Sequence, residues 1–113
     1  MDLGLDTTEH GGVCVLGVRG EVDVSTAPRF RQALMELAGE GQATVVVDLD
    51  GVEFLDSTGL GVLVSGLKRF RTMGGDLILV CNRPRILDVL KLTRLDQAFA
   101  VHPNVAAATG VLG

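Results

Sequence analysis

Cysteine is scarce in this chain. Only Cys14 and Cys81 occur, each inside an apolar run, with no CxxC pair and no Cys/His spacing of the kind that holds zinc. A metal centre is therefore not expected, and both thiols read as small core hydrophobes. Histidine is equally scarce: His10 and His102 form no convincing ligand pair and accompany no recognisable catalytic triad. Positive charge is in deficit, with a formal net charge of −4, which opposes sequence-independent attraction to nucleic-acid phosphates or anionic lipid. Long hydrophobic runs are missing too. None approaches the roughly 20 residues needed to span a bilayer, and Met1-Asp2-Leu3-Gly4-Leu5-Asp6 has no basic segment leading into an apolar one. The expectation is a cytoplasmic chain that binds no cofactor, no nucleic acid and no membrane.

What is present suits one compact α/β domain over residues 1–113, since 47% of the residues are hydrophobic and the length fits one core. Val13 to Val18 reads as a strand, and an extended piece from Leu3 to Thr8 can pair with it through Gly11-Gly12. Ser25 or Thr26 is placed to cap a helix with Pro28 in its first turn. Ala27, Phe30, Leu34, Leu37 and Ala38 recur in it at helical spacing. Ala43 to Leu49 is nearly continuous in apolar residues, as in a strand covered on both faces. A second helix starts near Ser57 and runs toward Met73, with Leu60, Leu63, Val64, Leu67 and Phe70 as its apolar stripe. Asp76 to Cys81 reads as a strand and Pro84 opens a helix bearing Ile86, Val89 and Leu90. A short strand over Ala98 to Val101 and a helix after Pro103 complete the chain, whose last few residues are expected to fray. The order ββαβαβαβα implies parallel pairing after the first hairpin, hence a mixed sheet.

The segment Leu49 to Gly61 carries the most chemical information. It leaves a buried strand and enters a helix, where the first backbone N–H groups lack intrahelical acceptors and Asp56 or Ser57 can supply an oxygen to them. Capping alone would justify these residues, and Gly59 and Gly61 would then simply permit close packing. Asp56-Ser57-Thr58-Gly59 has no GxSxG elbow, so it argues against an enzyme. No GxxxxGK[ST] or GxGxxG pattern supports nucleotide binding.

The chain resembles the STAS family, named for sulfate transporters and anti-sigma factor antagonists, over nearly its whole length. The resemblance rests on Gly20-Glu21-Val22-Asp23 with Ser25-Thr26-Ala27-Pro28, on Val47-Asp48-Leu49 through Asp56-Ser57-Thr58-Gly59-Leu60, and on Leu92-Thr93-Arg94-Leu95-Asp96-Gln97-Ala98-Phe99. Arg94 departs from it, because the family often has glycine there. The resemblance implies a stand-alone anti-sigma factor antagonist that binds a serine-kinase anti-sigma factor and frees the sigma factor. It further implies that the kinase phosphorylates Ser57 to end binding and that a protein phosphatase resets it. A STAS scaffold or transport-system subunit without sigma-factor control is the alternative. The expected partner surface joins Asp23, Ser25 and Thr26 to Asp56, Ser57, Thr58, Gly59, Leu60, Gly61 and Val62. Val62 is taken as an exposed apolar contact because it falls outside the assigned stripe.

Overall fold

Two glycines with positive φ, Gly11 at 59° and Gly12 at 84°, make the two-residue turn between β1 (Leu3–His10) and β2 (Val13–Val22). Both central residues of such a hairpin turn need the left-handed region, which glycine enters without a Cβ clash. The structure, a computed structural model, describes residues 2–110; the terminal residues expected to fray include 111–113, which lie outside the described residues. β3 (Thr44–Leu55), β4 (Asp76–Val80) and β5 (Val101–His102) follow, each parallel to its predecessor, so the mixed sheet runs β1-β2-β3-β4-β5 in chain order.

Helices α1 (Ala27–Gly39), α2 (Ser57–Thr72) and α3 (Pro84–Leu92) bury apolar residues with one face of the sheet. That core holds Phe30 and Leu34 of α1, Leu63 and Phe70 of α2, and Val18, Val45, Val47 and Leu77 of the strands. The opposite face is smaller. Val15, Val46, Ile78 and Val80 gather there with Ala108 of α5 (Val105–Gly110). β3 is thus apolar on both sides at its centre, which explains its nearly unbroken hydrophobic sequence. Cys14 and Cys81 are both buried free thiols, and burial raises the pKa of each above the ordinary thiol value. Among the described residues no helix is long and apolar enough to cross a membrane.

Three local expectations need correction. The strand placed over Ala98 to Val101 is only Val101–His102, because the preceding residues form α4 (Leu95–Ala98) and bring Phe99 into the core at 4% exposure. That turn starts from Arg94 at φ 61°, a left-handed backbone that glycine enters more readily than arginine. On α2 the buried face runs through Gly59, Val62, Leu63, Gly66, Leu67 and Phe70. Val62 is therefore core, 2% exposed, while Leu60 and Val64 are only partly buried. Two glycines mark the face nearest its neighbours: a Cβ on Gly66 would stand 2.9 Å from Leu77 Cδ1 and 3.1 Å from Leu34 Cδ1. A stripe drawn through bulky side chains alone is rotated away from that face.

Candidate functional site

Parallel strands deliver their carboxyl ends to the same edge of a sheet, and loops leaving those ends become neighbours. Here Val22 pairs with Leu55 at the last rung between β2 and β3, and the Asp56 N–H donates to the Val22 carbonyl at 3.2 Å. The loop Asp23 to Thr26 therefore lies beside the start of α2. Register shifts between Gly17 and Arg19 and between Gly20 and Glu21 help bring the two strands out level.

Asp56 is the N-cap of α2. Its Oδ1 accepts from the Thr58 N–H at 3.0 Å, from the Gly59 N–H at 3.2 Å and from the Thr58 hydroxyl. These bonds hold its carboxyl below the usual range, led by the Thr58 hydroxyl; burial and the neighbouring Asp23 charge push the other way. Asp23 makes a similar arrangement one loop away. It accepts from the Ser25 hydroxyl at 2.6 Å, the Ser25 N–H at 2.9 Å and the Thr26 N–H at 3.1 Å. Its carboxyl is lowered, first by the Ser25 hydroxyl, against a smaller opposing effect of burial. Asp23, rather than Ser25 or Thr26, thus takes up the loose amides before α1, and Thr26 at the N-cap position makes no side-chain cap bond. The Thr26 hydroxyl instead donates to the Glu21 carbonyl at 2.8 Å and accepts from the Asp23 N–H at 3.0 Å.

The ten residues expected at the partner surface separate by exposure. Ser25, Ser57 and Gly61 are exposed, and Asp23, Asp56, Thr58 and Leu60 are half-buried. Thr26, Gly59 and Val62 are buried, so they shape the surface from beneath instead of presenting side chains on it. Gly59 has no room for more: a Cβ would stand 2.7 Å from Val22 Cγ1 and closer still to Leu55 Cδ1.

Sequence reasoning passed over Val24, the most prominent apolar group here at 75% exposed. It stands at one edge of a groove of about 540 Å³ between α1 and α2, with Pro28, Arg31 and Met35 on one wall and Thr58 and Gly61 on the other. An apolar residue set between Asp23 and Ser25, in a turn with no periodic pattern to explain it, was the available signal. No group of three His, Cys, Asp or Glu residues that could hold a metal ion occurs among the described residues.

A family model described as the STAS domain matches residues 4–108. The chain belongs to the STAS-domain family. An anti-sigma-B factor antagonist of Bacillus subtilis is 34% identical over 95 residues, spanning 84% of this chain and 86% of that protein. One from Staphylococcus aureus is 30% identical over 102 residues, spanning 90% and 94%. Among solved structures, an anti-sigma factor antagonist from Mycobacterium paratuberculosis aligns with a TM-score of 0.90 at 31% identity, covering 97% of this chain and 93% of that one. The α/β mixed sheet is accordingly the STAS fold, and the site described above is the carboxyl-terminal edge of its two longest parallel strands.

Proposed function

We propose that this STAS domain is an anti-sigma factor antagonist. It binds a serine-kinase anti-sigma factor in the cytoplasm, frees the sigma factor held there, and is switched off by phosphorylation of Ser57 until a protein phosphatase restores it. The observation that carries this reading is the Ser57 hydroxyl, exposed at the first position of α2 and free of any intramolecular hydrogen bond among the described residues. The names of the Bacillus and Staphylococcus relatives support the same role.

A phosphoserine adds about −1.5 to −2 charge. At a helix amino terminus, the macrodipole offsets part of that charge by roughly 0.3–1 kcal/mol, while Asp56 and Asp23 oppose it. The fold therefore tolerates the modification, and the effect falls on the interface. Two like charges at about 4 Å repel by roughly 4 kcal/mol at an effective dielectric of 20, less where solvent screens them.

A pull-down from the source cell should recover an ATPase-fold kinase; recovery of transporter subunits instead would favour a scaffold or transport role. Incubation with that kinase and ATP should place phosphate on Ser57 by mass spectrometry. Ser57→Asp should weaken kinase binding at least about tenfold, or about 1.4 kcal/mol, with unchanged circular dichroism and melting. Phosphate at another residue, or undiminished binding, would refute the reading.

A further inference from the structure

Four hydroxyl side chains crowd this edge of the sheet: Ser25, Thr26, Ser57 and Thr58. Three are engaged. Ser25 donates to Asp23, Thr26 donates to the Glu21 carbonyl, and Thr58 donates to the Asp56 carboxylate. Ser57 alone of the four has no internal partner among the described residues. Adjacent residues of one helix turn thus present two hydroxyls in opposite conditions, one free and one bound to an anion.

We propose that Asp56 is a positioning residue that directs the phosphoryl group to Ser57 by withholding the neighbouring Thr58. The inference rests on the reading of Ser57 as acceptor. In the transfer, the acceptor oxygen forms a bond to the γ-phosphorus of kinase-bound ATP. The bond from that phosphorus to the β,γ-bridging oxygen breaks, ADP departs with the electron pair, and the hydroxyl proton passes to a base of the kinase.

At Ser57 no bond within the domain is lost. At Thr58 the hydroxyl must first leave Asp56, and the incoming phosphoryl oxygens then meet a carboxylate within hydrogen-bond reach of the reacting oxygen. That carboxylate cannot turn aside without releasing the Thr58 and Gly59 amides it caps. Ordinary accessibility works the same way, since Ser57 is exposed and Thr58 half-buried. Exposure alone would leave a slower second site, whereas the carboxylate closes it.

Asp56→Asn separates these contributions, because asparagine keeps a capping oxygen of the same reach but carries no charge. The kinase recovered in the pull-down, with ATP, would be used on the wild type, Asp56→Asn, Ser57→Ala and the double substitution Ser57→Ala with Asp56→Asn. Site occupancies would be followed over time by phosphopeptide mass spectrometry. The wild type should carry phosphate on Ser57 and Ser57→Ala should carry none. In Asp56→Asn the share on Thr58 should rise at least about tenfold once the repelling charge is gone, and the double variant should be labelled on Thr58. Asp56→Ser, another neutral cap, should behave alike and covers the case in which the asparagine variant folds poorly. Phosphate confined to Ser57 in the folded neutral variants, label on Thr58 in Ser57→Ala, or no phosphate in the neutral variants would each overturn the proposal. Wild-type phosphate away from Ser57 would instead overturn the underlying reading of the site.

Discussion

Gly59 and Arg94 show how one residue's backbone or missing side chain constrains a whole junction. Gly59 lies where α2 meets Val22 and Leu55 with no space for a methyl group. Gly59→Ala should therefore cost about 1–3 kcal/mol through overpacking, read as a lower urea midpoint with an unchanged slope. Arg94 holds the left-handed conformation without glycine's freedom. Arg94→Gly should raise stability by about 0.5–1 kcal/mol, the relief of strain less the added freedom of the unfolded chain; thermal melting checks it. The resemblance stated from the sequence implied glycine at the position of Arg94. It did not show the conformation, because a positive φ is a property of the path between α3 and α4. Val62 is buried for a related reason. Glycines at 59 and 66 occupy the inward face of α2, and the spacing of its large apolar residues does not reveal them, so the buried stripe lies toward Val62.

The elements themselves were largely legible. Apolar spacing specified α1 residue by residue, and the glycine pair specified the first hairpin. Less legible was which polar group would cap each helix. Both helices at the site are preceded by a carboxylate with hydroxyl residues beside it, yet Asp56 sits at the N-cap of α2 while Asp23 acts three residues ahead of the α1 N-cap. That choice depends on where each strand lets go of its neighbour, a matter of register. The caps also carry a pH signature. Asp56 has a folded pKa below its ordinary value of 3.8, so its ionised form stabilises the fold above that pH, and the contribution is lost as pH falls through the folded value. Asp56→Ala should cost about 0.5–2 kcal/mol near neutrality, and the deficit relative to wild type should shrink as pH drops below 3.8. Urea titrations at a series of pH values would read this directly; a deficit independent of pH would assign the loss to packing.

Taken as a whole, the molecule divides its work between the two sides of its sheet. The three longer helices and the larger core lie on one side, and the Asp23 and Ser57 loops end there beside the α1–α2 groove. The other side depends on α5, whose Ala108 is fully buried against Val15, Val46, Ile78 and Val80. Ala108→Asp should consequently cost about 3 kcal/mol by placing a charge among these aliphatic groups. If α5 merely rests on the sheet, the melting temperature will not move. The proposed partner surface could not be deduced from composition because it arises from juxtaposition: the Asp23 loop and the start of α2 are far apart in the chain and become neighbours because Val22 and Leu55 share a rung.

The strict β1-β2-β3-β4-β5 sequence of neighbours also bears on how the chain is made. As a ribosome releases the polypeptide from its amino end, each newly emerging strand finds its docking edge already synthesised, and no strand must be inserted between two that are already paired. Assembly can thus keep pace with translation, and the loop-closure cost of every pairing is limited to one intervening crossover. The corresponding hazard is transient: a nascent chain paused before β4 presents the unpaired edge of β3, the longest strand of the sheet, to other chains.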